Sequence, residues 1–277
     1  MGAKTTLDAA GLRPRKKWGQ HFLVDSHLLA HIADAAEITD ADTVLEIGPG
    51  LGHLTRVLAA RAARLIAVEL DAALVAQLRT EFSAASNVTI LQGDVLAAAP
   101  HEWIAAGTGA AAPCSYKIVA NLPYYITSAI LRHVLQATHK PSVIVVMVQR
   151  EVAQRILAQP PRMNLLAVSV QFFARPRLIR TIPAGAFYPR PRVDSAIVRL
   201  DVHQTPHADI ADPTRLFHLV RAGFGERRKQ LCNALVDGLG HTPEEIEALL
   251  ARAHIAPTRR AETLTLDEWV HLYRALT

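Results

Sequence analysis

Residues 44 to 52 constrain this chain more than any other stretch. They read Val44-Leu45-Glu46-Ile47-Gly48-Pro49-Gly50-Leu51-Gly52. An apolar run ends in an acid and then in three glycines at alternate positions. That order predicts a buried strand turning sharply into a helix, with backbone laid bare at the turn. Such a turn is a place to seat a small, partly charged cofactor.

An alternation of strands and helices follows. Residues 43–47, 64–69, 88–91, 116–120 and 143–148 are strand-like, and the last is a continuous apolar run expected at the centre of a sheet. Residues 51–60, 72–82 and 127–137 are helix-like. Before the glycine turn, Asp25 or Ser26 can cap a helix running to about residue 37. Residues 97–113 read as a helix fragment and a loop. Residues 151–157 and 165–173 look helical, and 177–182 with 195–201 are expected as an antiparallel pair at the sheet edge. The order predicts an α/β doubly wound sheet with helices on both faces. Residues 203–213 carry two prolines and little period, which places a domain boundary there. Beyond it the pattern is helical, with Thr242-Pro243-Glu244-Glu245 as a clean helix start. The expected division is a mobile tail over 1–12, an α/β domain over 13–203 and a small all-helical domain over 204–277.

Composition narrows the function. The two cysteines, Cys114 and Cys232, are far apart. That argues against a disulfide framework or a zinc site and fits a reducing cytosol. No apolar run approaches the ~20 residues of a spanning helix, and the start lacks the apolar core of a signal peptide. The chain is therefore expected in the cytoplasm, off the membrane. Its net charge is +5 and its pI about 9.5. Arg13, Arg15, Lys16 and Lys17 contribute +4, while Arg175, Arg177, Arg180, Arg190 and Arg192 contribute +5 with no acid between them. Arg221, Arg227, Arg228 and Lys229, less Glu226, contribute +3, so these stretches carry +12 and the remainder about −7. Three basic places on an otherwise acidic chain are the electrostatic footprint expected for nucleic acid.

The spacing Gly48-x-Gly50-x-Gly52 departs from the dinucleotide fingerprint, whose third glycine falls one place later. Glu69 closes the second strand, where a carboxylate can accept both hydroxyls of a ribose. Asp94 follows the third, where it can accept an adenine amine. With Glu46 and Asp71 nearby and no base placed for a pyrophosphate, the set suits a nucleoside bearing a positive charge. S-adenosylmethionine has that form. Asn121-Leu122-Pro123-Tyr124 follows the fourth strand on the same carboxyl edge. The Asn121 side-chain oxygen and the Leu122 carbonyl can each accept one N–H of an exocyclic amine. That aims its lone pair at a methyl group. Tyr124 offers a face to a flipped-out base. In Phe187-Tyr188-Pro189-Arg190-Pro191-Arg192-Val193-Asp194-Ser195, Phe187 can close the other side of a base sandwich while Arg190 and Arg192 meet phosphates; taken alone it reads as a core Phe in a proline turn. The thirteen histidines form no metal motif, and neither a nucleophile elbow nor a P-loop is present.

These residues resemble the bacterial small-subunit (16S) ribosomal RNA adenine dimethyltransferases. The resemblance is carried by Lys17-Trp18-Gly19-Gln20-His21-Phe22-Leu23, the glycine turn, Glu69-Leu70-Asp71, Gly93-Asp94-Val95 and Asn121 through Ile126. Gln149-Arg150-Glu151-Val152-Ala153, Phe187-Tyr188-Pro189 with Val193-Asp194-Ser195, and Phe224 through Arg227-Arg228-Lys229 add to it. It implies a Rossmann-like class I methyltransferase sheet with a small C-terminal helical domain. It implies two methyl transfers to the N6 of each of two adjacent adenosines in the 3′-terminal hairpin loop. The donor becomes S-adenosylhomocysteine, and no metal takes part. By position, Gln20, His21, Leu23, Gly48, Gly50, Glu69, Leu70, Asp94, Val95 and Asn121 line the cofactor, while Asn121, Leu122, Tyr124 and Phe187 hold the base. Arg15, Lys16, Lys17, Arg190, Arg192, Arg221, Arg227, Arg228 and Lys229 are the expected RNA contacts. The resemblance further implies a monomer acting on a pre-formed small subunit late in assembly, with kasugamycin resistance when activity is lost. His21 stands where the family often has Asn, Trp18 replaces Phe, and residues 160–166 lack a Tyr-Gly turn. The related antibiotic-resistance enzymes of large-subunit rRNA usually carry Ile where this chain has Leu122. A non-catalytic assembly factor on the same fold is disfavoured by intact Glu69, Asp94, Asn121 and Tyr124.

Overall fold

The computed structural model describes Arg13 and residues 20–23, 25–109, 115–226 and 228–276. The chain forms two compact units. The first runs to Ala153 and resumes from Pro176 to Val202; the second comprises Gln154–Arg175 and the chain from His203 onward.

The first unit is built on a sheet. Its strands are β2 (Thr43–Ile47), β3 (Arg64–Glu69), β4 (Val88–Gln92), β5 (Lys117–Asn121), β6 (Val143–Gln149), β7 (Ala174–Ile182) and β9 (Ser195–Val202). They lie in the order β4-β3-β2-β5-β6-β9-β7. Pairing is parallel from β4 through β6, and β9 joins β6 antiparallel, from Val143 opposite Asp201 to Gln149 opposite Ser195. The apolar runs are explained by burial on both faces: Val44, Leu65, Ile118, Ile144 and Val145 are solvent-inaccessible. The expected edge pair is present as neighbours, with β7 outermost. A separate two-stranded piece joins β1 (Phe22–Leu23) to β8 (Phe187–Tyr188), antiparallel, with Leu23 opposite Phe187.

Helices follow where the sequence provides caps. Asp25 accepts the N–H groups of His27 and Leu28 and starts α1 (Ser26–Ala35). Helix α2 (His53–Ala59) follows the glycine turn, and Asp71 caps α3 (Ala72–Glu81). Helices α4 (Pro100–Thr108), α5 (Thr127–Leu135) and α6 (Arg150–Ile156) come next. From β2 the chain steps outward through β3 and β4, then returns to the other side of β2 with β5. The carboxyl ends of β2 and β5 therefore flank a topological switch point, where open α/β sheets bind ligands.

The second unit is helical: α7 (Leu165–Gln171), α8 (Pro213–Phe224), α9 (Leu231–Leu239), α10 (Pro243–Arg252) and α11 (Leu266–Leu276). The helix start expected at Thr242-Pro243 opens α10, and Thr242 and Glu245 cap it reciprocally. The sequence places residues 154–175 with the sheet, but they pack here instead. Phe172 and Phe173 meet the Phe217 ring at centroid distances of 5.6 and 5.7 Å. The N–H groups of His203 and His207 donate to the carbonyls of Phe173 and Phe172. Apolar burial by α7 decides the matter, since Leu166, Ala167, Val168 and Val170 all lie inside.

At the amino edge of the sheet, Arg199 is 7 % exposed and closes a polar knot. It donates to Ala35 O and Asp201 Oδ1, both at 2.7 Å, and to Glu37 Oε2 at 3.0 Å. Lys117 Nζ adds bonds to Glu37 O at 2.6 Å and Asp42 Oδ2 at 2.9 Å. Hydrogen bonding to Arg199 holds the Glu37 carboxyl below its usual range. Replacing Arg199 by Met removes three donors while keeping the apolar stem. The expected loss is about 2 kcal/mol, between values for exposed and buried ion pairs because Glu37 is open to solvent. Urea unfolding measures it; a midpoint unchanged from wild type would show the knot to be inert.

Candidate active site

The expected cofactor residues converge. Gln20, His21, Leu23, Gly48, Gly50, Glu69, Leu70, Asp94, Val95 and Asn121 line one cleft at the carboxyl edge of the sheet, together with Leu122 and Tyr124. Glu46, His53 and Tyr125 also line it. His53 opens the helix after the glycine turn, and its Nδ1 lies 2.9 Å from Leu23 O. Tyr125 continues the aromatic run and is 56 % exposed. A Tyr-Tyr doublet was the available signal for it.

The glycine turn is left-handed at all three glycines, with φ of +67°, +58° and +76° at Gly48, Gly50 and Gly52. The Gly48 N–H donates to Val68 O at 2.9 Å, so β2 stays tied to β3 as it bends away. A Cβ on Gly48 would enter open space, which leaves that surface to a ligand. A Cβ on Gly50 would stand 3.0 Å from the Phe22 ring.

Glu69 organises the neighbouring turns. Its Oε2 accepts the Gly50 N–H at 3.1 Å and its Oε1 the Asp71 N–H at 2.9 Å. Each oxygen retains a lone pair, which suits the two hydroxyls of a ribose. Burial pushes its pKa up, and the N–H bonds oppose the rise. Asp94 is exposed; its Oδ1 accepts the Leu96 N–H at 2.9 Å and caps the short 3-10 turn Val95–Ala97. Its Oδ2 has no hydrogen bond among the described residues.

Glu46 is 1 % exposed, and its Oε2 has no hydrogen-bond partner among the described residues. Burial drives its carboxyl to about 8, and Glu69 adds to the rise. Thr55 lies beside it and partly offsets this, yet the Thr55 hydroxyl makes no hydrogen bond of good geometry. The described lining holds Glu46, Glu69 and Asp94 but neither Lys nor Arg. A pyrophosphate has no counter-charge there. S-adenosylmethionine fits this set: Glu69 would take the ribose hydroxyls, and Asp94 would accept the adenine amine.

The acceptor side lies next to it. Asn121 ends β5, and its Nδ2 donates to His21 O at 3.1 Å. Its Oδ1 has no hydrogen bond among the described residues. The Leu122 N–H donates to Met147 O at 3.2 Å, which fixes the turn, and its carbonyl is unclaimed among the described residues. The Tyr124 hydroxyl is 2.7 Å from Ser195 Oγ, and its ring stacks on His21 at 5.6 Å and 24°. Burial raises the phenol pKa, so Tyr124 stays neutral.

Phe187 stands elsewhere. It is 4 % exposed, lies outside the cleft lining and packs in the core with Leu23, Leu29 and Ile182. Its pairing with Leu23 turns it inward and leaves Tyr188 outside, 37 % exposed. Among the expected RNA contacts, Arg190, Arg192, Arg221, Arg228 and Lys229 are exposed. Lys229 is partly committed, at 2.6 Å from Asp237. Arg15, Lys16, Lys17 and Arg227 lie outside the described residues, as do the expected tail over 1–12 and Trp18. No group of three or more metal-ligating side chains occurs among the described residues.

Fold and cleft together define a class I methyltransferase that takes S-adenosylmethionine as donor. More narrowly, the family model for ribosomal RNA adenine dimethylase matches residues 11–277, and the chain belongs to that family. A relative from Dehalococcoides mccartyi, "Ribosomal RNA small subunit methyltransferase A", is 49% identical over 267 residues, covering 96% of this chain and 90% of its own length. One of the same name from Moorella thermoacetica is 44% identical over 270 residues, covering 96% and 93%. Among solved structures, 23S rRNA methyltransferase ErmE superposes with a TM-score of 0.70 at 28% identity, over 92% of this chain and 99% of that one. A dimethyladenosine transferase from Plasmodium falciparum shares the fold, with a TM-score of 0.75 at 22% identity over 91% and 95%.

The buried acid gives a pH signature. Folded Glu46 holds a proton up to about 8, whereas the unfolded chain releases it near the ordinary 4.5. The folded state binds more protons between these values, so its stability falls as pH rises through that window. Glu46→Gln removes this dependence. The stability of the variant relative to wild type is expected to climb from pH 5 to pH 8 in cofactor-free protein; a constant difference would refute the assignment.

Proposed function

We propose that this enzyme dimethylates the N6 amines of two adjacent adenosines in the 3′-terminal hairpin loop of small-subunit rRNA. The substrate is a pre-formed small subunit late in its assembly. The enzyme works as a monomer in the cytoplasm, and its loss gives kasugamycin resistance. The single observation that carries the chemistry is the Asn121–His21 contact. Asn121 Oδ1 and the Leu122 carbonyl then have no hydrogen bond among the described residues, and both residues line the cleft.

An adenine amine is conjugated with its ring and weakly nucleophilic. Accepting both of its N–H bonds localises the lone pair and aims it along the line of transfer. Tyr124 holds the flipped base by stacking, and its face favours the charge that develops on the amine. S-adenosylmethionine supplies the electrophilic methyl group. The alkylated amine is acidic, so no strong base is required. Exposed Arg190, Arg192, Arg221 and Arg228 meet phosphates, joined by Lys229 where RNA displaces Asp237.

The choice of the small subunit is supported by the names of the relatives above 40% identity, against 28% for the large-subunit enzyme. Leu122 points the same way. Labelled-methyl transfer to unmethylated small subunits, followed by digestion to nucleosides, tests the reading. Dimethyladenosine from the 3′ region is expected; label confined to large-subunit rRNA would replace this reading with the runner-up. Asn121→Ala is expected to lower transfer by about a hundredfold or more while donor affinity stays within a few-fold. Full activity in that variant would remove the mechanism. Binding to unmethylated subunits is expected to weaken by orders of magnitude between 50 and 200 mM salt, in the manner of ~6 or more phosphate contacts. A flat response would remove the basic stretches from the interface.

A further inference from the structure

The outer edge of the sheet is bare. Strand β7 ends the strand order, and among the described residues no strand pairs on its far side. From Arg177 to Thr181 every residue is exposed. Leu178 is 52 % exposed and Ile179 39 %. Successive residues of a strand face opposite sides, so apolar surface is open on both faces at this point. The main-chain groups of residues 177–181 make no bond beyond the sheet among the described residues. Charge completes the pattern, since no acid occurs from residue 174 to residue 193. Arg177 is matched by Asp201 at 3.0 Å. Arg180 is exposed and has no ion pair among the described residues.

We propose that β7 is a docking edge for an extended, acidic segment of a partner protein, which adds a strand to the sheet. A free edge offers N–H and C=O groups in alternation. Another peptide chain satisfies both, whereas a phosphate brings no donor for the carbonyls. An added strand also gives Leu178 and Ile179 a cross-strand neighbour on each face, which a phosphate does not. A second copy of this chain does not fit. Pairing β7 with itself sets arginines against arginines, and like charges across strands destabilise. Pro176 and the arginines guard the edge against indiscriminate pairing, so charge selects a segment bearing Asp or Glu. Counted along the sequence, these arginines join a nucleic-acid footprint; their place on a free edge beside two exposed apolar side chains assigns them to a protein. Where that partner is met rests on the small-subunit reading above, since the particle carries protein as well as RNA.

Two measurements test the edge. In the first, Ile179 is replaced by the photoreactive p-benzoylphenylalanine, and the full chain is irradiated on unmethylated small subunits. Crosslinking to an acidic segment of a ribosomal protein is expected. In the second, Arg177→Glu and Arg180→Glu are combined and assayed on intact subunits and on protein-free rRNA. The double variant is expected to raise KM for intact subunits about fivefold with kcat held, and to keep affinity for protein-free rRNA within about twofold. Crosslinks to rRNA alone, to a second copy of the enzyme, or to nothing would overturn the proposal. So would an equal loss of affinity for protein-free rRNA, which would make β7 an RNA surface. Wild-type methylation of the same subunits separates the two readings. Its failure would overturn the substrate reading, whereas methylation without a protein crosslink overturns this one.

Discussion

One carboxylate, held between two turns, sets the geometry of the whole cleft. Glu69 closes β3 and binds the N–H of Gly50 after β2 and that of Asp71 after its own strand. These turns would otherwise be separate loops on separate strands. The carboxylate joins them at fixed spacing and keeps a lone pair on each oxygen for a ligand. Its burial has an energetic cost, which the backbone N–H bonds offset only in part. The left-handed glycines are the other half of the arrangement, since a Cβ at Gly50 would crowd the Phe22 ring of β1 at 3.0 Å. Strand β1 can therefore cover the cofactor turn and carry His21 to the acceptor side.

What could be read from the chain and what could not divide along a physical line. The glycine turn, Glu69, Asp94 and Asn121 were legible because each closes a parallel strand, and such ends share one edge by topology alone. No long-range detail was needed. Residues 154–175 were misplaced because their helical period says which face is apolar, not which partner covers it. Phe172 and Phe173 find Phe217, more than forty positions away. Phe187, taken alone, was legible as a core Phe in a proline turn, and it is buried opposite Leu23. Glu46 sat in plain view at the end of an apolar run, but its want of a partner shows only in three dimensions.

The charges are sorted by ligand. The cleft carries acids and no described Lys or Arg, as a cationic donor requires. The basic side chains lie on the exposed surface, where phosphates are. Sequence counting overstates how many are available. Arg177 is 3.0 Å from Asp201 and Lys229 is 2.6 Å from Asp237. These exposed pairs are weak, and a phosphate competes for them at small cost. Arg199, buried in its knot at the far edge, belongs to the fold and contributes nothing to such a surface.

Dimethylation places a demand on the acceptor side that a single transfer does not. In the proposed function an unmodified adenine amine offers two N–H bonds, one to Asn121 Oδ1 and one to the Leu122 carbonyl. After the first methyl it has one. A single acceptor then holds the remaining hydrogen, and the other faces a methyl group. The Leu122 carbonyl belongs to a main chain pinned by the bond from its N–H to Met147. Asn121 is pinned through its own amide by His21. Neither can swing aside to recover a lost hydrogen bond, so the second transfer depends more on stacking than the first. A family defined by dimethylation therefore needs a firm aromatic platform as much as a polar grip, and here Tyr124 is held at both ends, by Ser195 at its hydroxyl and by His21 at its face.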